Sequence, residues 1–221
     1  MKIFAASILA LFAFSVSFAQ NEQSPIVEKE ITYTNWTFKS VTTGEESSLR
    51  DLARGKKLVI VVYYAPWCHN WRHDAPFLQR FYEKYHGKGL EIVGVGEYDP
   101  LASMKSNLEF LKISFPVVYE SEMRGDKQKT DHYDYRRTTG DMRSWGSPWY
   151  ILLEPDKFEK KGSVLVKKAD VINGEMIEIE GEKYVREKLG LPAVDTKAAV
   201  GRKGEIEVCD PDKKPLELKK P

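Results

Sequence analysis

Leu58 to Tyr64 reads LVIVVYY, a continuous apolar and mostly β-branched run, as expected of a central strand covered on both faces. It leads into Ala65-Pro66-Trp67-Cys68, after which Phe77, Leu78, Phe81 and Tyr82 recur at helical spacing over His73 to Lys84. Pro76 falls inside that predicted helix, where it removes a backbone donor and should kink it. Gly87 and Gly89 close the helix, and Leu90 to Gly96 (LEIVGVG) predicts a second buried strand. A second amphipathic helix is predicted over Leu101 to Lys112, with Leu108 and Leu111 among its apolar positions, followed by a short strand over Phe115 to Tyr119. Strand, helix, strand, helix in this order calls for parallel strands joined by right-handed crossovers.

The flanks follow other rules. Ile31 to Ser40 (ITYTNWTFKS) is rich in β-branched and aromatic residues and predicts an opening strand or hairpin; Ser47 to Leu52 predicts a short capped helix ending at Gly55. Glu120 to Trp145 is charged and aperiodic, and reads as an inserted loop over the sheet. Trp149 to Leu153 restores a strand, Glu154 to Lys157 turns it, Val164 to Val166 pairs back as an antiparallel edge, and a last helix runs from about Gly181 to Leu189. The tail from 191 to 221 carries Pro192, Pro211, Pro215, Pro221 and many lysines, and is expected to be extended.

The N-terminus adds an address. Lys2 precedes an apolar run from Ile3 to Phe18 that ends Ser17-Phe18-Ala19, the pattern of a secretory signal cut after Ala19. The run is shorter than the ~20 apolar residues that span a bilayer, so no stable membrane span is expected after cleavage, and the mature chain is expected in a periplasm or secreted. The division read from the sequence is thus a signal peptide over 1–19, a flexible segment over 20–30, one domain over 31–190 and an extended tail over 191–221. Loss of Lys2 balances the charge at 33 basic and 33 acidic residues, interleaved along the chain, which argues against a nucleic-acid partner. Two cysteines, Cys68 and Cys209, are too few to frame the fold, so the core must be hydrophobic. Asn35-Trp36-Thr37 is formally a glycosylation sequon.

The segment Tyr64-Ala-Pro-Trp-Cys-His-Asn-Trp-Arg-His-Asp-Ala-Pro76, with Phe115-Pro116 and Gly146-Ser147-Pro148 further on, resembles the thioredoxin superfamily. It is most similar to the exported, membrane-side thiol-disulfide oxidoreductases related to cytochrome c maturation and to the alkyl hydroperoxide reductase group. The resemblance implies an α/β thioredoxin-like fold with a central mixed sheet flanked by helices, an N-terminal strand or hairpin extension and an insertion at about 120–146. It further implies Cys68 as the redox cysteine, Asp74 as the acid behind it and a cis Ser147–Pro148 bond facing it. No cofactor is implied, and the partner would be a protein or peptide thiol or disulfide.

One departure matters. The resemblance implies a second cysteine at position 71, which would resolve the mixed disulfide formed by the first, and Trp71 stands there. Cys68 then acts as a monothiol, forming a mixed disulfide or sulfenic acid, with Cys209 as the candidate resolving cysteine; at a helix start beside His69, Arg72 and His73, its thiolate would be favoured. The alternative is a non-catalytic module that binds a peptide or protein through Trp67, Trp71 and Ser147. A weaker set, Cys68, His69 and His73, offers one sulfur and two nitrogens to copper or zinc, with His132 the remote fourth candidate.

Overall fold

The computed structural model describes residues 22–193. Along the chain run β1 (Gln23–Ser24), β2 (Val27–Thr34), β3 (Thr37–Ser40), β4 (Glu46–Ser48), α1 (Leu49–Leu52), β5 (Leu58–Tyr64), α2 (His69–Tyr85), β6 (Leu90–Gly96), α3 (Leu101–Leu111), β7 (Val117–Tyr119), α4 (Asp131–Thr138), β8 (Trp149–Leu153), β9 (Val164–Ile172), β10 (Glu175–Met176) and α5 (Glu178–Leu189). Eight strands form one mixed sheet in the order β2-β9-β8-β5-β6-β7-β3-β4, and β1 pairs with β10 separately. Within the sheet β5, β6 and β7 are parallel and the remaining pairings antiparallel. This is the thioredoxin-like α/β architecture that the residues around Cys68 imply.

Side chains alternate across a strand, so β5, buried throughout, feeds two cores. Ile60, Val62 and Tyr64 face the side covered by α2, α3 and α5, with Trp71, Phe77, Phe81, Met104, Leu108 and Val185. Val59, Val61 and Tyr63 face the other, with Trp36, Leu49, Tyr135, Trp149 and Leu165. Helix α2 runs unbroken from His69 to Tyr85 with Pro76 inside it.

Several expectations need correction. The segment expected to be loose over 20–30 carries β1 and the first half of β2, because β2 reaches back to Val27 along β9. Strand β9 is no edge: it extends to Ile172 and lies between β8 and β2. The last helix starts three residues earlier than expected, at Glu178. The segment 120–146 is not a plain loop, since it contains α4. Thr130 accepts the Tyr133 N–H as N-cap, Asp131 and Asp134 lie in the first turn and Arg136 and Arg137 in the last, which suits the helix dipole. The signal peptide over 1–19 and nearly all of the tail, Cys209 included, lie outside the described residues.

Candidate active site

Strand β5 ends at Tyr64, and the chain turns through Ala65-Pro66-Trp67 so that the Cys68 N–H reaches the Ala65 carbonyl at 2.9 Å. Cys68 is the N-cap of α2, where the first helical N–H groups lack intrahelical acceptors and the dipole favours negative charge. Its side chain is wholly buried and disulfide-bonded. Cys209, the one other cysteine in the sequence, lies outside the described residues.

The Ser147–Pro148 peptide bond is cis, as the resemblance implies, and brings the Ser147 carbonyl oxygen within 3.2 Å of the Cys68 sulfur. Ser147 Oγ accepts the Ala65 N–H at 2.9 Å, so one residue fixes both the turn before the cysteine and the carbonyl facing it. The loop is held from the insertion. Arg143 donates to the Pro148 carbonyl at 2.7 Å and to the Ser147 carbonyl at 3.4 Å, and is itself oriented by Asp141 at 2.7 Å. From α4, Arg136 donates to the carbonyls of Arg143 at 2.7 Å and Ser144 at 3.2 Å, and His132 Nε2 reaches the Gly146 carbonyl at 3.1 Å. Gly146 has a φ of +60°, and a Cβ there would lie 2.3 Å from the Arg136 side chain, so glycine is required twice over. Burial pulls the His132 imidazole well below its ordinary pKa, with Arg136 adding to the effect, and the neutral ring stacks on Tyr63 at 5.0 Å.

Trp71 is fully buried. Its ring stacks on Tyr64 at 4.0 Å and its indole N–H donates to Asn107 at 2.9 Å, so as placed it offers no surface to a partner. Trp67 is half-buried and meets Trp145 edge to face at 5.1 Å. Asp74 lies one face further along α2, buried, accepting hydrogen bonds from the Tyr150 hydroxyl and, at 2.9 Å, from the Met176 N–H. Burial pushes its carboxyl up to about 7 against those two stabilising bonds. His73 turns to Glu175, at 2.7 Å, rather than toward a site shared with Cys68 and His69. Among the described residues the grouping of metal-ligating types is His73, Asp74 and Glu175, with ligand atoms within 4.8 Å of one another. Cys68, as a disulfide, has no thiolate to give a metal, and His132 is engaged by Tyr98 at 2.9 Å and Gly146.

Residues that the sequence did not single out complete the surroundings. Glu22, from the segment before β1, places its carboxylate on the Asn70 amide and, at 3.1 Å, on Arg143; its carbonyl takes the Glu175 N–H at 2.8 Å. Tyr150, Arg136 and Arg143 carry no motif, and only their position beside Pro148 or in a short charged segment could have drawn attention to them. Asn35 of the formal sequon accepts the Arg50 N–H at 2.9 Å through its side-chain oxygen.

Comparison with known proteins bears on the family and the fold. Residues 30–171 match the model of the AhpC/TSA family. Over 93 residues the chain is 28% identical to the thiol-disulfide oxidoreductase ResA of Bacillus subtilis, covering 42% of this chain and 49% of that one. Over 110 residues it is 31% identical to a protein disulfide-isomerase of Drosophila melanogaster, covering 49% of this chain and 21% of that one. The chain thus spans about half the length, or less, of these curated relatives. Among solved structures, a thiol:disulfide interchange protein of Chlorobium tepidum superposes with a TM-score of 0.52 at 20% identity, over 73% of this chain and 98% of that one. Another, from a Bacteroides species, gives 0.52 at 21% identity over 76% and 93%. At these identities the structures show the shared fold, while the match over most of the domain shows the family: the chain belongs to the AhpC/TSA family of thioredoxin-like redoxins.

Proposed function

We propose that this protein is an exported thiol-disulfide oxidoreductase in which Cys68 is the attacking sulfur and Cys209, from the tail, takes the resolving role that Trp71 cannot. The observation that carries the reading is Cys68 itself, disulfide-bonded at the N-terminus of α2 with its sulfur 3.2 Å from the Ser147 carbonyl of the cis-proline loop. In the reduced protein the Cys68 thiolate attacks one sulfur of a partner disulfide, forming a mixed disulfide and releasing one partner thiolate. The Cys209 thiolate then attacks the Cys68 sulfur, the second partner thiolate leaves, and the partner has gained the two electrons that the protein has lost. Asp74, buried behind the cysteine and ionising near neutrality, suits the proton exchange that these thiols require. Export rests on the apolar leader and small residues before Ala19.

Trapping tests the assignment. With a disulfide-bearing peptide, Cys209→Ser should accumulate a mixed disulfide at Cys68 visible by intact mass, Cys68→Ser should form none, and the wild type should release the peptide as a dithiol. If Cys209→Ser turns over like the wild type, Cys209 is not the resolving residue. If Cys68→Ser does, Cys68 is not the attacking one.

A further inference from the structure

The surface beside Cys68 is aromatic and cationic. Arg72 Nε donates to the Pro66 carbonyl at 3.2 Å, directly before Trp67. The Arg124 guanidinium lies over the Trp67 ring at 5.4 Å, and the Lys127 ammonium over Trp145 at 4.4 Å. Trp67 and Trp145 touch each other, so these groups form one rim, contiguous through Pro66 and Trp67 with the cysteine. Nearby carboxylates are engaged elsewhere: Asp126 pairs with Lys129 at 3.0 Å, and Glu122 accepts the Leu101 N–H at 3.1 Å. Neither Arg72 nor Lys127 has an ion-pair partner among the described residues. Lys127 instead rests on the Ser144 hydroxyl at 3.2 Å, its pKa lowered by burial and by Arg136.

The sequence around Cys209 has the opposite character. Glu205-Ile-Glu-Val-Cys-Asp-Pro-Asp212 holds four acidic residues and no basic one, set between Arg202-Lys203 and Lys213-Lys214 in a tail otherwise rich in lysine. From Ala193 to Cys209 an extended chain covers on the order of 50 Å, comparable with the span of a whole domain of this size. We infer that the segment Glu205–Asp212 docks on the rim formed by Arg72, Lys127, Trp67 and Trp145, its carboxylates pairing with these two cations so that Cys209 is delivered to Cys68. This rests on the cysteine pair proposed above and names the recognition that makes the pair efficient. Two such exposed ion pairs together raise the local concentration of Cys209 up to roughly tenfold.

The test measures the effective molarity of Cys209 toward Cys68 in the full mature chain, by equilibrating protein dithiol with glutathione disulfide to give protein disulfide and two glutathiones. Raising the ionic strength from about 0.02 to about 0.5 M should lower the wild-type value roughly tenfold. The variant Glu205→Gln/Glu207→Gln/Asp210→Asn/Asp212→Asn should show that low value at both salt concentrations. Arg72→Glu/Lys127→Glu should lower the wild-type tail by at least as much while changing the neutralised tail little, which locates the contact. Values that stay within twofold across salt and tail neutralisation overturn the docking while leaving the cysteine pair intact. Failure of the wild type to form any Cys68–Cys209 disulfide overturns pair and docking together. The salt series needs no substitution, so a rim variant that misfolds does not rescue the idea.

Discussion

At the residue scale the question is what each side chain around Cys68 costs and what it does. Asp74 is a carboxyl buried among an aromatic hydroxyl, a backbone N–H and Glu175, and burial holds its proton on up to about pH 7, against an ordinary value of 3.8. The folded state therefore binds a proton between about pH 4 and 7 that the unfolded chain has released. Stability from this group is complete below about pH 4 and is lost as the pH rises through 7, by up to about 4 kcal/mol for three pH units. Asp74→Asn keeps an oxygen for the Tyr150 hydroxyl and the Met176 N–H but cannot ionise. Urea unfolding from pH 4 to 8 should show the wild type losing stability relative to the variant across that window; parallel curves would mean that Asp74 is ionised throughout. Burial also raises Glu22 and Glu97, the latter with Glu120 bonded beside it, so both proteins should retain a common residual slope. Trp71 makes a second point. The family resemblance implies a resolving cysteine at its position, yet the sequence could not say that the ring fills core space against Tyr64, where a smaller side chain would leave a cavity.

At the element scale, the parts readable in advance were those whose pattern is dictated by a single physical rule. The buried runs of β5 and β6, the helix after Cys68 and the strand after Pro148 all stand where the apolar positions require them. The hidden part was α4, because its eight residues, DHYDYRRT, are mostly charged and polar and carry no apolar stripe. Tyr135 apart, its buried side chains are polar: His132 and Arg136 sit inside the protein and point their donors at carbonyls of the loop that ends in cis-Pro148. No hydrophobic period records such a helix, and only Thr130 with the charge order of its ends gives it away. His132→Phe tests this role, since the ring can still stack on Tyr63 while the Gly146 carbonyl loses the imidazole and the Tyr98 hydroxyl is left with Thr130 alone. The expected cost is about 1 to 3 kcal/mol in thermal or urea unfolding, the penalty of leaving buried polar groups unpaired. A neutral result would show that stacking alone seats α4. The same reasoning explains why β1 escaped notice: two residues are too few for a pattern, and their place depends on Gly174, where a Cβ would lie 1.9 Å from the Glu22 carbonyl oxygen.

At the scale of the whole molecule, the proposed pairing of Cys68 with Cys209 would link the redox state to the stability of the fold. A disulfide between Cys68 and Cys209 closes a loop that contains all of α2 to α5, and in the chain-entropy model a loop that long stabilises the folded state by roughly 5 kcal/mol. That figure assumes that the folded protein accepts the bond without distortion, which docking of the tail at the rim of Cys68 would supply. The oxidised full chain should therefore unfold at a higher denaturant concentration than the reduced chain, with a shallower slope, because the cross-link keeps the unfolded chain more compact and lessens the surface it exposes. Cys209→Ser should behave like the reduced wild type under both conditions. Equal midpoints for oxidised and reduced protein would mean that the native state is strained by the bond as much as the unfolded state is confined by it. The disulfide would then be as easily reduced in the folded protein as in the unfolded chain, and the tail would serve exchange alone. A clear rise on oxidation would instead mean that the fold holds the disulfide in place, and that a partner must supply enough reducing power to release both the bond and the tail.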